Sequence, residues 1–151
     1  MKNIETYMTK PEFSSSRHLQ LHGIEPTLQR IAVLDDLYEH RTHATADEIF
    51  ERVAAKYPTI SRRTIYNALN LFVEKGAVAA INIDETHVRY DFDVRFHGHF
   101  RCRECGRIFD FVMHRPHGAE RFGSIDSAQY YVYGLCRDCA EKNQSTNQPI
   151  N

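Results

Sequence analysis

At 151 residues the chain has room for one ordinary domain or two small ones, and 42 % hydrophobic with 26 % charged residues is a globular balance. A formal net charge of −1 excludes a globally basic nucleic-acid binder, so any DNA contact must be local. No apolar run approaches the roughly 18 residues that read as a membrane span, and Met1 to Ser16 lacks the apolar core of a signal peptide. The expected compartment is therefore the cytoplasm, where thiols stay reduced.

From Phe13 to Gly76 apolar residues recur at helical spacing. Pro26-Thr27 opens a helix with Leu28, Ile31, Ala32, Leu34, Leu37 and Tyr38 along it. Thr45, followed three residues later by Glu48, predicts a capping box before a helix whose apolar face is Ile49, Phe50, Val53 and Ala54. Pro58 separates that helix from the next. Ser61 caps a helix expected over Thr64 to Lys75, with Ile65, Leu69, Leu71 and Phe72 inward and Gly76 just past its end.

The pattern then changes to strands. Ala77–Ile83 and His87–Phe92 flank a short turn at Asp84-Glu85-Thr86. Helices followed by a two-stranded hairpin form the order of a winged helix, a DNA-binding architecture, with the Ser61 helix as its recognition element. Its basic residues are Arg30, Arg62 and Arg63, offset by Asp35-Asp36 and Asp47-Glu48. Arg62 and Arg63 start the recognition helix, where they reach phosphates or base edges, and Tyr66 and Asn67 lie one turn on.

After a connection at Asp93–Arg95, strands are expected at Phe96–Arg101, Ile108–Met113 and Ala128–Leu135. This second half is too small for a large core and needs a staple. The polar stretch from Lys142 to Asn151 predicts disorder. The organisation expected is α+β: a winged-helix domain with an N-terminal arm over 1–92, a small domain over 93–142, and a tail over 143–151.

The chain's four cysteines stand as Cys102-x2-Cys105 and Cys136-x2-Cys139. Two such knuckles close a tetrahedral all-thiolate zinc site, which has no open position and holds structure only. Gly106 supplies the turn the first knuckle needs. A second, nitrogen–oxygen group surrounds that knuckle. His97 and His99 share a face if their segment is a strand. Asp91 ends the hairpin, Asp110 follows the knuckle, and His43 lies in the turn before the Thr45 helix. Imidazoles with two carboxylates suit Fe(II), Mn(II) or Zn(II) better than Mg(II) or Ca(II).

Thr45–Ile49, the Ser61–Leu69 run Ser-Arg-Arg-Thr-Ile-Tyr-Asn-Ala-Leu, His-x-His-Phe-x-Cys-x2-Cys-Gly-x-Ile over His97–Ile108, and Tyr-Gly-Leu-Cys-x2-Cys over Tyr133–Cys139 resemble the ferric uptake regulator family, across about Gly23 to Lys142. The resemblance implies a homodimeric, metal-dependent transcriptional repressor with an N-terminal winged helix, a C-terminal α/β dimerisation domain holding structural zinc, and a palindromic double-stranded DNA operator. Within the family the pattern is most similar to the peroxide-sensing repressors. Carried over motif by motif, their regulatory Fe(II) or Mn(II) ligands fall on His43, Asp91, His97, His99 and Asp110, Tyr66 contacts bases and Arg30 meets phosphate. The implied signal is oxidation of His43 or His97 when Fe(II) meets hydrogen peroxide.

Two departures stand out. Ala128-Gln129 occupies a stretch where many members carry a His for a further metal site, so that site is not expected. Arg115–Ser127 has room for only about two helical turns, where members usually have a longer helix. His114 and His117, around Pro116 among arginines, read as solvated.

The alternative function is an iron- or manganese-responsive repressor of metal uptake without peroxide sensing. A metalloenzyme would need a separate general base or substrate loop, which the sequence lacks, so no enzyme is expected. No membrane or small organic ligand is expected as a partner. A zinc-ribbon adaptor leaves the winged-helix half without a role.

Overall fold

The computed structural model describes residues 13–115 and 117–146. Most of the expected N-terminal arm, Pro116 and the last five residues of the tail lie outside them.

Four helices build the first half: α1 Ser15–Leu21, α2 Leu28–His40, α3 Ala46–Lys56 and α4 Arg62–Glu74. Each starts where a hydroxyl accepts from a backbone amide left unpaired by helix geometry. Ser14, Thr27 and Ser61 accept from Arg17, Arg30 and Thr64 at 3.3, 3.3 and 3.1 Å. At α3 the capping box is complete: the Glu48 amide donates to Thr45 Oγ1 at 3.2 Å, and the Thr45 amide donates to Glu48 Oε2 at 2.7 Å. Gly76 takes φ +71°, which ends α4 by turning the chain left-handed. The helices bury one cluster, with Leu34, Ile49, Ile65, Leu69 and Phe72 fully inside.

One ion pair pins α2 to α3. Arg52 grips Asp36 with two nitrogens at 2.9 and 2.7 Å, and Asp36 is buried. In sequence Asp36 only offsets nearby arginines in the charge balance; buried on α2, it is the partner of Arg52.

The hairpin follows as β1 Ala79–Ile81 and β2 Arg89–Asp91, antiparallel and shorter than the apolar pattern suggests. Asp84 shapes its turn by accepting from both the amide and the hydroxyl of Thr86. A bridge between Thr45 and Arg89, with the Tyr90 amide donating to the Ala44 carbonyl at 2.9 Å, ties β2 to the turn before α3. That bond carries the hairpin back onto the helices and sets the end of β2 beside His43.

The second half is a three-stranded sheet in the order β4-β3-β5: β3 Gly98–Cys102, β4 Ile108–Phe111 and β5 Tyr130–Gly134, with β4 antiparallel and β5 parallel to β3. The crossover from β4 to β5 holds a single 3-10 turn, Ala119–Phe122. Gly118 at φ +104° and Gly123 at φ +146° bracket it and stop a helix from growing. Among the described residues, the segment with room for about two helical turns holds only this 3-10 turn. A final helix, α5 Arg137–Thr146, starts inside the second knuckle with the Ala140 amide donating to the Cys136 carbonyl. Disorder expected from Lys142 is corrected as far as Thr146: a helix nucleated at the knuckle propagates through a polar sequence that would not start one alone.

The buried cluster of this half consists of Cys102, Cys136 and Cys139 with Phe100 and Leu135 against them. The thiols themselves are its core. Replacing Cys102 with Ser is therefore expected to abolish zinc retention and cooperative unfolding of residues 98–146, leaving the helical half folded; hydrogen exchange read segment by segment checks this. Thr45→Ala removes one side of the capping box and is expected to cost about 1 kcal/mol in urea unfolding of the protein without regulatory metal.

Candidate metal centre

Two clusters of metal-ligating side chains emerge from this fold. In the first, the four cysteine sulfurs all lie within 4.8 Å of one another, with Cys105 and Cys136 Sγ 3.9 Å apart. A tetrahedron of Zn–S bonds of about 2.3 Å has edges of about 3.8 Å, so the spacing is that of a zinc site. The Cys136 amide donates to Cys102 Sγ at 3.3 Å. This contact and the Cys105 amide draw the Cys102 thiol down to about 6, towards thiolate. Cys139, crowded by the other sulfurs with Cys136 first, is pushed up to about 12. Four sulfurs this close cannot all ionise unless a cation neutralises them. Arg107 supplies outer support, donating to Cys105 Sγ at 3.4 Å and to Asp138 at 2.6 Å. The sequence reading missed it, although an Arg two residues past a knuckle is a visible signal.

In the second cluster, His43, Asp91, His97, His99 and Asp110 each place one donor atom within 4.8 Å of all the others. His43 comes from the α2–α3 turn, Asp91 from the end of β2, His97 from just before β3, His99 from β3 and Asp110 from β4. His99 and Asp110 face each other in the β3–β4 register. Gly98 sits between the two histidines because the Phe111 ring lies across it, where a Cβ would come within 2.3 Å of a ring carbon. His43 holds φ +52° and Arg41 φ +45°, two left-handed non-glycine residues in one turn. That conformation costs about 1–2 kcal/mol per residue, so other contacts must hold it.

The imidazoles and carboxylates point at a common centre. His43 Nε2 lies 2.9 Å from Asp110 Oδ1, and His97 and His99 Nε2 both lie 3.1 Å from Asp91 Oδ2. The remaining cross-distances from these nitrogens to the two oxygens run 3.6, 3.5 and 3.7 Å. Around an ion bound at about 2.1 Å, adjacent donors stand about 3.0 Å apart and opposite ones about 4.2 Å. His43 Nε2 and His97 Nε2 are buried without a hydrogen-bond partner: the carboxylates are near, but the angles are wrong for a shared proton. His97 Nδ1–H donates to the Arg95 carbonyl at 2.7 Å, which leaves the lone pair on Nε2. Asp91 Oδ1 accepts the Asp93 amide at 2.8 Å, which turns Oδ2 to the imidazoles.

The charges agree. Burial pulls the His43 pKa down, but Asp91 and Asp110 outweigh it and hold the imidazole above its ordinary value. Burial pushes Asp91 up, yet His43, His99 and the Asp93 amide overcome that and keep its carboxyl far below the usual range. Two carboxylates and three neutral imidazoles carry −2, which one divalent cation neutralises, and the donor set fits Fe(II) or Mn(II). Asp110 is 47 % exposed and His43 5 %, so the site opens on the β4 side.

The residues read as DNA contacts sit apart from both clusters. Arg62, Arg63, Tyr66 and Asn67 are exposed along α4, with Tyr66 at 43 % rather than packed in the core. Arg30 and Asn67 line one groove with Thr27, Gln29 and Thr64. Arg30 also donates to the Glu25 carbonyl at 2.9 Å. Arg62 is paired with Asp47 and lies 4.4 Å over the Phe50 ring. His114 and His117 are exposed, and neither belongs to a metal-ligating cluster among the described residues. Gln129 reaches the other half of the chain, donating to the Ala80 carbonyl at 2.9 Å.

Known proteins resemble this chain in sequence and fold. The model of the ferric uptake regulator family matches residues 22–121. The peroxide-responsive repressor PerR of Staphylococcus aureus strain Mu50 is 35 % identical over 130 residues, covering 82 % of this chain and 88 % of the relative. The same-named protein of Staphylococcus saprophyticus has the same identity and coverage. Among solved structures, the Campylobacter jejuni peroxide stress regulator superposes with a TM-score of 0.63 at 28 % identity, over 82 % of this chain and 95 % of that one. The Pseudomonas aeruginosa ferric uptake regulator with manganese, at 21 % identity and TM-score 0.66 over 83 % of this chain and 99 % of that one, shares the fold. Members of the family are metal-responsive, DNA-binding transcription regulators. With two thirds of its length matched by the family model and curated relatives above 30 % identity, the chain belongs to the ferric uptake regulator family.

Proposed function

We propose that this protein is a homodimeric transcriptional repressor whose grip on DNA depends on a divalent ion at His43, Asp91, His97, His99 and Asp110, and that it senses hydrogen peroxide through oxidation of His43 or His97. The observation that carries the reading is that one five-donor cluster draws its members from both halves of the chain. An ion bonded to all five fixes the angle between the α4 face and the β3 sheet. In a dimer, that angle sets whether two recognition helices stand about 34 Å apart, or a whole-turn multiple, as successive major grooves require. Metal and DNA then tighten each other's binding.

The α4 face suits the role: Arg63, Tyr66 and Asn67 are exposed on it, and Arg30 flanks it. So few basic groups predict a modest salt dependence per protomer. The palindromic operator follows from twofold symmetry. For the dimer contact, Val112 at 94 % and Phe122 at 80 % exposure are apolar side chains of the kind that a second copy covers. Reduced cysteines arranged as ligands fit a cytoplasmic setting.

Peroxide sensing draws on the 35 % identical relatives and on access. Two surface clefts meet at His97, one also lined by Asp91, His99 and Gln129, the other by Asp110 and Phe111. Fe(II), when bound, supplies the reducing electron that turns peroxide into an oxidant, chemistry that Mn(II) does not provide. The protein's part is to hold His43 and His97 beside that chemistry with their Nε2 atoms turned inward. An oxidised imidazole loses basicity at the ligating nitrogen, and the two halves are released from their fixed angle.

Mass spectrometry of iron-loaded protein after peroxide is expected to show a one-oxygen gain on His43 or His97, and none in the manganese-loaded control. Unmodified peptides from iron-loaded protein would instead leave a metal-responsive repressor without peroxide sensing. Asp110→Ala is expected to give a folded, zinc-containing dimer whose DNA affinity no longer changes with added Mn(II), read by fluorescence anisotropy on operator DNA.

A further inference from the structure

The turn that carries His43 is held in an unfavourable conformation, and the side chain that holds it comes from neither the turn nor the ligand set. Arg89, two residues before Asp91, is largely buried and reaches in three directions. Its Nη1 donates to the His43 carbonyl at 3.1 Å. Its Nε and Nη2 donate to Asp84 Oδ2 at 3.2 and 3.0 Å. Nη1 also lies 3.7 Å from Glu48, the residue that closes the capping box with Thr45. The bridge between Thr45 and Arg89 adds a main-chain tie to the same turn.

Asp84 is suited to anchor this arginine. Its side chain is only 7 % exposed, and both of its oxygens are used: Oδ1 accepts from the Thr86 amide and hydroxyl, and Oδ2 faces Arg89 and Arg101. The Thr86 amide first, and then its hydroxyl and the arginines, hold the carboxyl well below the ordinary range, so it is charged at any working pH. Arg101 Nη2 stands 3.4 Å from Asp84 Oδ2 and belongs to β3, the strand of His99. The cluster thus runs from β3 through the hairpin turn to the backbone of His43, parallel to the metal-ligand set and sharing no side chain with it.

We infer that Arg89, anchored by Asp84, is a positioning residue for the regulatory metal: it holds the His43 carbonyl, and so fixes the direction in which the His43 imidazole presents Nε2. This rests on the metal reading proposed above. Removing such an outer partner typically costs a site about 10- to 100-fold in metal affinity while the ligands stay in place. A lysine at position 89 has one ammonium in place of the planar fork and cannot hold the carbonyl and Asp84 together in the same geometry.

The test is Mn(II) titration of the zinc-containing full-length protein, with free Mn(II) read by electron paramagnetic resonance. Arg89→Ala is expected to weaken Mn(II) binding at least about tenfold, with zinc content and thermal midpoint before Mn(II) addition unchanged. Arg89→Lys should recover only part of the loss. Amide exchange at Ala44 and Thr45 should rise in Arg89→Ala before any Mn(II) is added, a readout that needs no regulatory metal. If Arg89→Ala loses zinc or cooperative unfolding, Asp84→Asn carries the test with the same expected weakening. Unchanged Mn(II) affinity in a folded variant would overturn the inference while leaving the metal reading intact. Mn(II) binding in Asp110→Ala equal to that of the unaltered protein would instead overturn the metal reading, and the inference with it.

Discussion

Three imidazoles and two carboxylates crowded within 4.8 Å form an arrangement with a deficit of positive charge. Shared protons relieve that deficit poorly, because the nitrogens and oxygens face a common centre and only one imidazole–carboxylate contact, His99 to Asp91, is aligned as a hydrogen bond. A divalent cation relieves it fully. The fold around the cluster is organised to make the convergence happen: the Tyr90–Ala44 backbone bond brings the helical turn to β2, and the β3–β4 register brings His99 to Asp110. The four sulfurs pose the same electrostatic problem at the other end of β3, with a closed tetrahedron as its answer.

The two clusters differ in what surrounds them. The sulfurs are the core of their half, and little else is buried there among the described residues. The nitrogen–oxygen group lies where two well-formed parts meet, with one part holding its own large apolar core. Metal loss at the first removes the fold's interior. Under the proposed reading, metal loss at the second would remove a link between bodies that remain folded, as a sensor requires.

Much of this was legible in sequence because it rests on spacing. Thr45 with Glu48, Ser61 before an apolar-periodic run, and Cys-x2-Cys twice are local patterns, and each appears in the structure where expected. His43, Asp91 and Asp110 were candidates by residue type, but their assignment as joint ligands came from resemblance, since no local rule joins residues so far apart. What escaped was tertiary. Asp36 and Arg52 look like surface charges until α2 and α3 pack. Arg89 reads as an ordinary strand residue until the turn carrying His43 closes over it. The short strands and the α5 extension past Lys142 were misjudged because strand ends depend on partners, and a polar helix depends on what starts it.

Strand β3 has a mechanical consequence. His99 and Cys102 sit three residues apart on it, about 10 Å along an extended chain. The cysteine end is locked into the sulfur cage, and β4 and β5 flank the strand on both edges. Its histidine end therefore cannot recoil when the link at His43 is made or broken. Under the metal switch proposed above, the strand would be the fixed jaw of a clamp, the helical half its moving jaw, and α4 the element displaced.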